Sequence, residues 1–231
     1  MNTAKCDYKE IGELLLSIKT NTCMMTSKEM LILYNAVIKR KMPATRLIHT
    51  KNTHAKCVYF LENGLIKISN NDSEGEEIIK YFVKPGTIFG ELNLLDYEED
   101  KHEIAVAMRN SEISCIPVEA LKQLMSIHPE LRNIIDQSIG RRIRRMEQRM
   151  LGLMFKNVKD RILDFLKEFV VDFGHPVAGG YSADFFITHD DIARITGTSR
   201  QSVTASLVDF KKKGLIDYDT RCMSVFNLAR S

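Results

Sequence analysis

Residues 188–212 read Thr-His-Asp-Asp-Ile-Ala-Arg-Ile-Thr-Gly-Thr-Ser-Arg-Gln-Ser-Val-Thr-Ala-Ser-Leu-Val-Asp-Phe-Lys-Lys. Thr188, followed three positions on by Asp191, has the form of a capping box opening a first helix. Ile192 and Ile195 give that helix an apolar side, and Ala193 is small where a second helix must cross closely. Gly197 falls in the turn, where a positive φ is cheap only without a Cβ. Ser199 is placed to cap the second helix, and Val203 and Leu207 then bury an i, i+4 stripe. The other face presents Arg200, Gln201 and Thr204, residue types that read base edges in a major groove. An ordinary helical hairpin would explain the small and branched residues, but not so polar and arginine-bearing a start to the second helix.

The flanking sequence extends this unit. Lys211, Lys212, Lys213 and Gly214 end the second helix with cations and a cap, as the macrodipole favours. Beside a groove-reading helix, Lys211 and its neighbours also neutralise phosphates, which makes affinity salt-sensitive. Leu215–Tyr218 and Met223–Phe226 are two short apolar runs separated by Asp219-Thr220-Arg221-Cys222, the pattern of a β-hairpin wing. Phe185-Phe186-Ile187 reads as a third strand before the helices. His175–Gly180 reads as a loop leading into the unit.

Composition sets the class. The chain has 231 residues, 44% hydrophobic and 27% charged, which suits a globular protein of two domains. No apolar run approaches the ~20 residues of a membrane span, so no membrane partner is expected. The first residues lack an apolar signal core, and a cytoplasmic location is expected. Net charge is +3 but uneven: residues 141–231 carry 16 Lys+Arg against 11 Asp+Glu, and residues 1–140 carry 17 against 19. The basic part holds the helix-turn-helix, as an electrostatic footprint on DNA should. Five cysteines without a Cys-x-x-Cys pair read as reduced, structural thiols.

Upstream, residues 8–38 carry helical periodicity in two pieces, with Ser27 as a cap for the second. From 40 to 117 the pattern turns to short strands: 46–48, 57–61, 65–68, 77–82, 104–107 and 112–116, punctuated by turns at 62–64, 70–75 and 84–86. That spacing predicts a small antiparallel barrel or sandwich. Pro117 ends the strands, a short helix follows over 118–125, and Pro129 opens a long helix from its first turn. Ile135, Ile139, Ile143, Met146, Met150 and Leu153 recur on it in steps of three and four. This suits pairing with a twin helix, and suits a helix lying on its own domain almost as well. Arg141, Arg142, Arg144, Arg145 and Arg149 flank the stripe and read as a solvated face. A further helix is predicted over 158–171.

Four stretches together resemble the Crp/Fnr superfamily of bacterial transcription regulators, from about residue 25 to the end. They are Tyr59–Lys67 as strand-turn-strand, Pro85-Gly86-Thr87-Ile88-Phe89-Gly90-Glu91 as the turn opening the ligand cassette, Asn157–Leu166 as the first DNA-domain helix, and Thr188–Leu207. The resemblance implies an α+β protein with an N-terminal double-stranded β-helix (a cyclic-nucleotide-binding-type barrel), a long dimerisation helix and a C-terminal winged helix-turn-helix. It divides the chain into 1–127, 128–154 and 155–231. It also implies a homodimer on double-stranded DNA with a two-fold site, contact with RNA polymerase and an unidentified small-molecule effector. Arg200 falls at the family's guanine-reading position, where a bidentate fork suits O6 and N7. Gln201 stands where many members carry Glu, and Ala205 where several carry a second basic residue. Ser199 and Thr188 fall at phosphates.

The effector cassette maps onto Gly90, Glu91, Leu92, Lys101, His102 and Met146. Here the family's arginine and hydroxyl for a cyclic phosphate are replaced by Lys101 and His102, followed by the negative Glu103. Met146 and Glu147 stand where cyclic-AMP binders present hydroxyls, so ordinary cyclic AMP binding is not expected. Glu91 remains for a ribose hydroxyl, and Lys101 with His102 for some other anion. An iron–sulfur cluster lacks its clustered thiolates: Cys6 and Cys23 are dispersed, and Cys115 is offset from the barrel cysteine of oxygen sensors. Haem stays open only through His49, His54 or His102, with no axial pair fixed. Cys57 reads as a small apolar filler, with a redox role as its alternative. Two rival functions compete. One is a barrel module governing a partner protein, which has no use for Arg200 on a recognition helix. The other is a cupin-like metalloenzyme, which would need a His-x-His that the chain lacks. No nucleophile–base motif or phosphate-cradling glycine loop is found either, and no enzymatic activity is expected.

Overall fold

The computed structural model describes residues 4–5, 37–49, 57–94, 103–185 and 187–227. Most of the helical periodicity read in 8–38, together with Ser27, His54, Lys101 and His102, lies outside them. Thirteen strands are described: β1 (Ala4–Lys5), β2 (Ile38–Met42), β3 (Leu47–His49), β4 (Cys57–Asn63), β5 (Ile66–Asn71), β6 (Glu77–Val83), β7 (Thr87–Phe89), β8 (Ile104–Ala107), β9 (Ser111–Pro117), β10 (His175–Val177), β11 (Gly180–Ala183), β12 (Ile216–Tyr218) and β13 (Met223–Phe226). The described helices are α1 (Val118–Ile127), α2 (Pro129–Phe155), α3 (Val158–Phe173), α4 (His189–Thr196) and α5 (Arg200–Lys212), with a 3-10 turn at Glu91–Leu94. Contacts divide the chain into two compact units. One holds residues 1–76 and 80–143, the other 77–79 and 144–231.

The first unit carries two antiparallel sheets, ordered β1-β2-β9-β4-β7 and β3-β8-β5-β6. Strand β4 shows how its sequence serves two cores. Successive side chains of a strand point to opposite faces. Tyr59 and Leu61 enter the core between the sheets, with Ile66, Ile68, Phe89, Ala105 and Ile113. Val58 and Phe60 face the other way, onto Leu121 and Leu124 of α1 and Leu131 and Ile135 of α2. A strand buried on both faces reads as a continuous apolar run, which is what 57–61 is. Strands β2 and β7 are additional to those expected; β2 is rich in cations and β7 is three residues long, so neither has an alternating pattern to read.

At Gly64 the chain leaves β4 with φ +107°, and a Cβ there would stand 2.1 Å from Ser111 Oγ and 2.7 Å from Ser111 Cα. The Ser111 hydroxyl sits in this gap and accepts a hydrogen bond from the Leu65 amide at 3.3 Å.

In the second unit the sheet order is β10-β11-β13-β12. The segment expected to be a loop, His175–Gly180, contributes β10 and the first residue of β11, paired as a hairpin from His175↔Ser182 to Val177↔Gly180. The third wing strand is therefore Gly180–Ala183, and Phe185 and Ile187, the described residues of the expected strand, are not in one. Phe185 packs edge-on to Phe169 of α3 at 5.5 Å instead. An aromatic pair looks like strand sequence, while Gly179 (φ +82°) supplies the hairpin turn that the loop reading passed over.

Gly64→Ala should destabilise the first unit by roughly 1–3 kcal/mol, from positive φ and the Ser111 clash together. The check is the midpoint of urea unfolding against wild type.

Candidate functional site

The helix pair forms as its caps dictate. Thr188 Oγ1 accepts from the Asp191 amide at 3.0 Å and donates to Asp191 Oδ2 at 2.6 Å. Ser199 Oγ accepts from the Ser202 amide at 3.1 Å. Gly197 ends α4 in the left-handed region at φ +63°. At the far end of α5, the Leu215 amide donates to the Phe210 carbonyl and the Gly214 amide to that of Lys211, the paired bonds of a Schellman motif. Val203, Ser206, Leu207 and Phe210 are buried. Arg200, Gln201, Thr204, Ala205 and Val208 share the exposed face.

Two sequence-assigned DNA residues already have partners. Lys211 pairs with Asp217 at 2.7 Å and lies 5.2 Å over the Tyr218 ring, so it is not the uncommitted phosphate cation expected of the lysine run. Thr204 donates to the Arg200 carbonyl at 3.0 Å and lies 2.9 Å from His189 Nδ1. Its hydroxyl is thus engaged at the surface by its own helix backbone and by His189.

The long helix also differs from expectation. Ile135 is buried in the core of its own unit and Ile139 packs against that core, so these two members of the expected dimer stripe serve their own chain. Ile143, Met146, Met150 and Leu153 are about half exposed, and Leu151, Met154 and Phe155 extend the apolar surface at the helix end. Nor are all the flanking arginines a solvated face. Arg145 reaches Asp172 at 2.8 Å and Glu168 at 3.3 Å, Arg149 reaches Glu168 at 3.5 Å, and Arg142 is partly buried and paired with Glu91. Helical periodicity shows which side chains share a face, not whether distant acids cover that face.

Arg142 Nη1 meets Glu91 Oε1 at 2.9 Å and donates to the Tyr81 hydroxyl at 2.7 Å, with the guanidinium 5.1 Å over the Tyr81 ring. Glu91 is 2% exposed, and its Oε2 is buried without a hydrogen-bond partner among the described residues. Burial pushes the Glu91 carboxyl above its ordinary value, with Arg142 pulling against that rise. Next to it, Glu103 pairs with Lys80. Among the described residues this group pairs two carboxylates, Glu91 and Glu103, with two cations, Arg142 and Lys80. Gly90 (φ +73°) brings the backbone against Tyr59, and Leu92 is partly buried. Nothing in the sequence marked Arg142 as the partner of Glu91, since they lie 51 positions apart.

His49 is buried at the inner face of the sheets, stacked on Tyr59 at 5.4 Å, with Nδ1 unpartnered among the described residues. Burial pushes the Cys115 thiol up to about 12 and also raises that of Cys57, so neither is a ready thiolate nucleophile.

A capped helix pair with a wing and an exposed arginine-bearing second helix defines a winged helix-turn-helix DNA-binding protein. A cyclic nucleotide-binding domain matches residues 39–128, and a Crp-like helix-turn-helix domain matches residues 160–230. The chain is 31% identical to the global nitrogen regulator of Synechococcus elongatus over 174 residues, 75% of this chain and 78% of that protein. It is 24% identical to the CRP-like cAMP-activated global transcriptional regulator of Mycobacterium tuberculosis, over 75% of this chain and 77% of that one. FixK2 from Bradyrhizobium japonicum shares the fold with a TM-score of 0.71 at 20% identity, covering 83% of this chain and 93% of its own. The chain belongs to the Crp/Fnr family of DNA-binding transcription regulators.

Burial holds the His49 pKa below the ordinary value of about 6.5, with Glu103 opposing in part. The unfolded chain therefore takes up this proton first as pH falls. The stability from neutral His49 is present above about pH 6.5 and is lost as pH drops through the folded value. His49→Phe, which keeps an aromatic stack, should show a smaller fall in Tm between pH 7.5 and 5.5 than wild type, as read by thermal melts.

Proposed function

We propose that the protein acts as a homodimer on a two-fold operator, with one α5 helix in each of two major grooves about one helical turn apart. The observation that carries this is the exposed Arg200 and Gln201 at the capped start of α5. Arg200 reads a guanine and Gln201 a neighbouring base, while Thr188 and Ser199 stand at phosphates. Lys211 exchanges Asp217 for a phosphate on binding. The half-exposed Ile143, Met146, Met150 and Leu153 support pairing through the later part of α2. The division into an N-terminal part to 127, a dimerisation helix over 128–154 and a DNA-binding part from 155 belongs to this reading.

The barrel is an effector domain whose ligand is not cyclic AMP bound in the usual manner. Gly90, Glu91, Leu92, Lys101, His102 and Met146 are its candidate pocket residues, and Glu91 Oε2 is the acceptor awaiting a donor. The protein works in the cytoplasm, alongside RNA polymerase, and has no catalytic role. No described helix is long and apolar enough to cross a membrane.

Mobility shift with a random duplex over a salt series tests the DNA reading: affinity should fall linearly on logarithmic axes as salt rises. Arg200→Ala should lose about 1–3 kcal/mol of discrimination at one base pair per half-site while still binding. Met150→Glu with Met154→Glu should sediment as a monomer and lose on the order of 100-fold in operator affinity. A double variant that remains a dimer rules out pairing through this end of α2.

A further inference from the structure

The exposed stripe of α5 is not uniformly polar. Arg200 and Gln201 are followed on the same face by Thr204, Ala205 and Val208, and the five residues line one shallow depression. Thr204 has both sides of its hydroxyl engaged: it donates to the Arg200 carbonyl and faces His189 Nδ1. Burial and the neighbouring Arg200 charge hold the His189 pKa down. With the Thr204 proton on the Arg200 carbonyl, the 2.9 Å contact to His189 Nδ1 is made when the ring carries its proton on Nδ1. Of the Thr204 side chain, the methyl group is what stays uncommitted.

Ala205 adds a second methyl. Val208 adds two more and leaves 44% of its surface in solvent. Packing does not ask for valine there, since Val203, Leu207 and Phe210 already supply the buried side of the helix. Helix propensity does not ask for it either, because a β-branched residue is a poor choice for an exposed helical site. In the major groove the apolar feature of a base edge is the C5-methyl of thymine. Eight residues of helix advance about 12 Å, roughly three base-pair steps.

We infer that Thr204, Ala205 and Val208 form a methyl-reading surface, so that α5 selects thymine within about three base pairs of the guanine taken by Arg200. Specificity beyond the guanine then comes from apolar contact, with no second charged fork. This rests on the reading that α5 enters the major groove.

The test begins by selecting bound duplexes from a random pool with the full-length protein. The selected duplex is then remade with deoxyuridine replacing one thymine at a time, which removes only the methyl. Wild type should lose about three- to fivefold at one or two thymines near the guanine, as burial of one methyl implies. Val208→Ala should lose a similar factor on the thymine duplex and little more on deoxyuridine. Its melting temperature, measured in parallel, reports that the domain is intact.

The inference is overturned if every deoxyuridine duplex binds as the parent does, or if Val208→Ala stays as sensitive as wild type. The latter result would trace the effect to duplex shape. Arg200→Ala separates the two layers. Loss of guanine preference with neutral deoxyuridine sinks only the methyl surface, whereas an unchanged selected sequence sinks the groove reading as well.

Discussion

The orientation of the recognition helix depends on one guanidinium. Arg161 of α3 donates through Nη1 to the Lys156 carbonyl, through Nε to that of Thr196 and through Nη2 to that of Gly197, at 3.1–3.3 Å. Those carbonyls belong to the ends of α2 and α4, where a helix runs out of amide partners and its dipole is negative. One planar cation therefore serves two helix termini at once, and a lysine could not span the three oxygens. Gly197 turns the chain through the left-handed region beside it, and Ser199 starts α5 two residues later. With the turn held on one side and Val203 and Leu207 buried on the other, the face bearing Arg200 has no place but outward.

Helix α2 shows the opposite economy, one element with two kinds of apolar surface. Its first turns are anchored by Leu131 and Ile135, buried beneath Phe60 and Leu121. Its last turns carry Met150, Leu151, Met154 and Phe155 at half exposure or more. Exposed apolar surface concentrated at one place marks an interaction site, and the charges beside it are settled within the second unit: Arg145 and Arg149 are held by Glu168 and Asp172. Pairing those cations leaves an apolar strip whose flanks do not repel a second copy of the same charge.

What could be read from the sequence follows the range of each interaction. The caps at Thr188, Gly197 and Ser199 are local, set within three or four residues, and they were legible residue by residue. The strands of the barrel were legible wherever an apolar run lay between turn signals, as at 57–61 and 104–107. The pairing of Arg142 was not, because it is decided by Tyr81 on β6 and Glu91 in the 3-10 turn, both distant in sequence. The pairing of Lys211 was equally hidden, since Asp217 looks like ordinary turn chemistry until the wing folds back. The β10–β11 hairpin was missed because Pro176 and two glycines mark a turn without saying that strands leave it. Periodicity groups Ile135 with Met150 as one stripe, yet it carries no information on whether a residue is covered by its own chain: Ile135 is buried in its own unit and Met150 is exposed.

The same distinction bears on how a signal at the barrel would be felt. Glu91 keeps one oxygen on Arg142 and one without a partner. Burial disfavours its charge, and Arg142 offsets that only in part. A molecule that donates a hydrogen bond to Oε2 changes that balance without needing to displace the arginine. Arg142 lies on α2, and the helix continues unbroken from it to Phe155. On the proposed reading, a ligand at Glu91 is felt first at Arg142, and Met150 follows about two turns later in the sequence of the same helix.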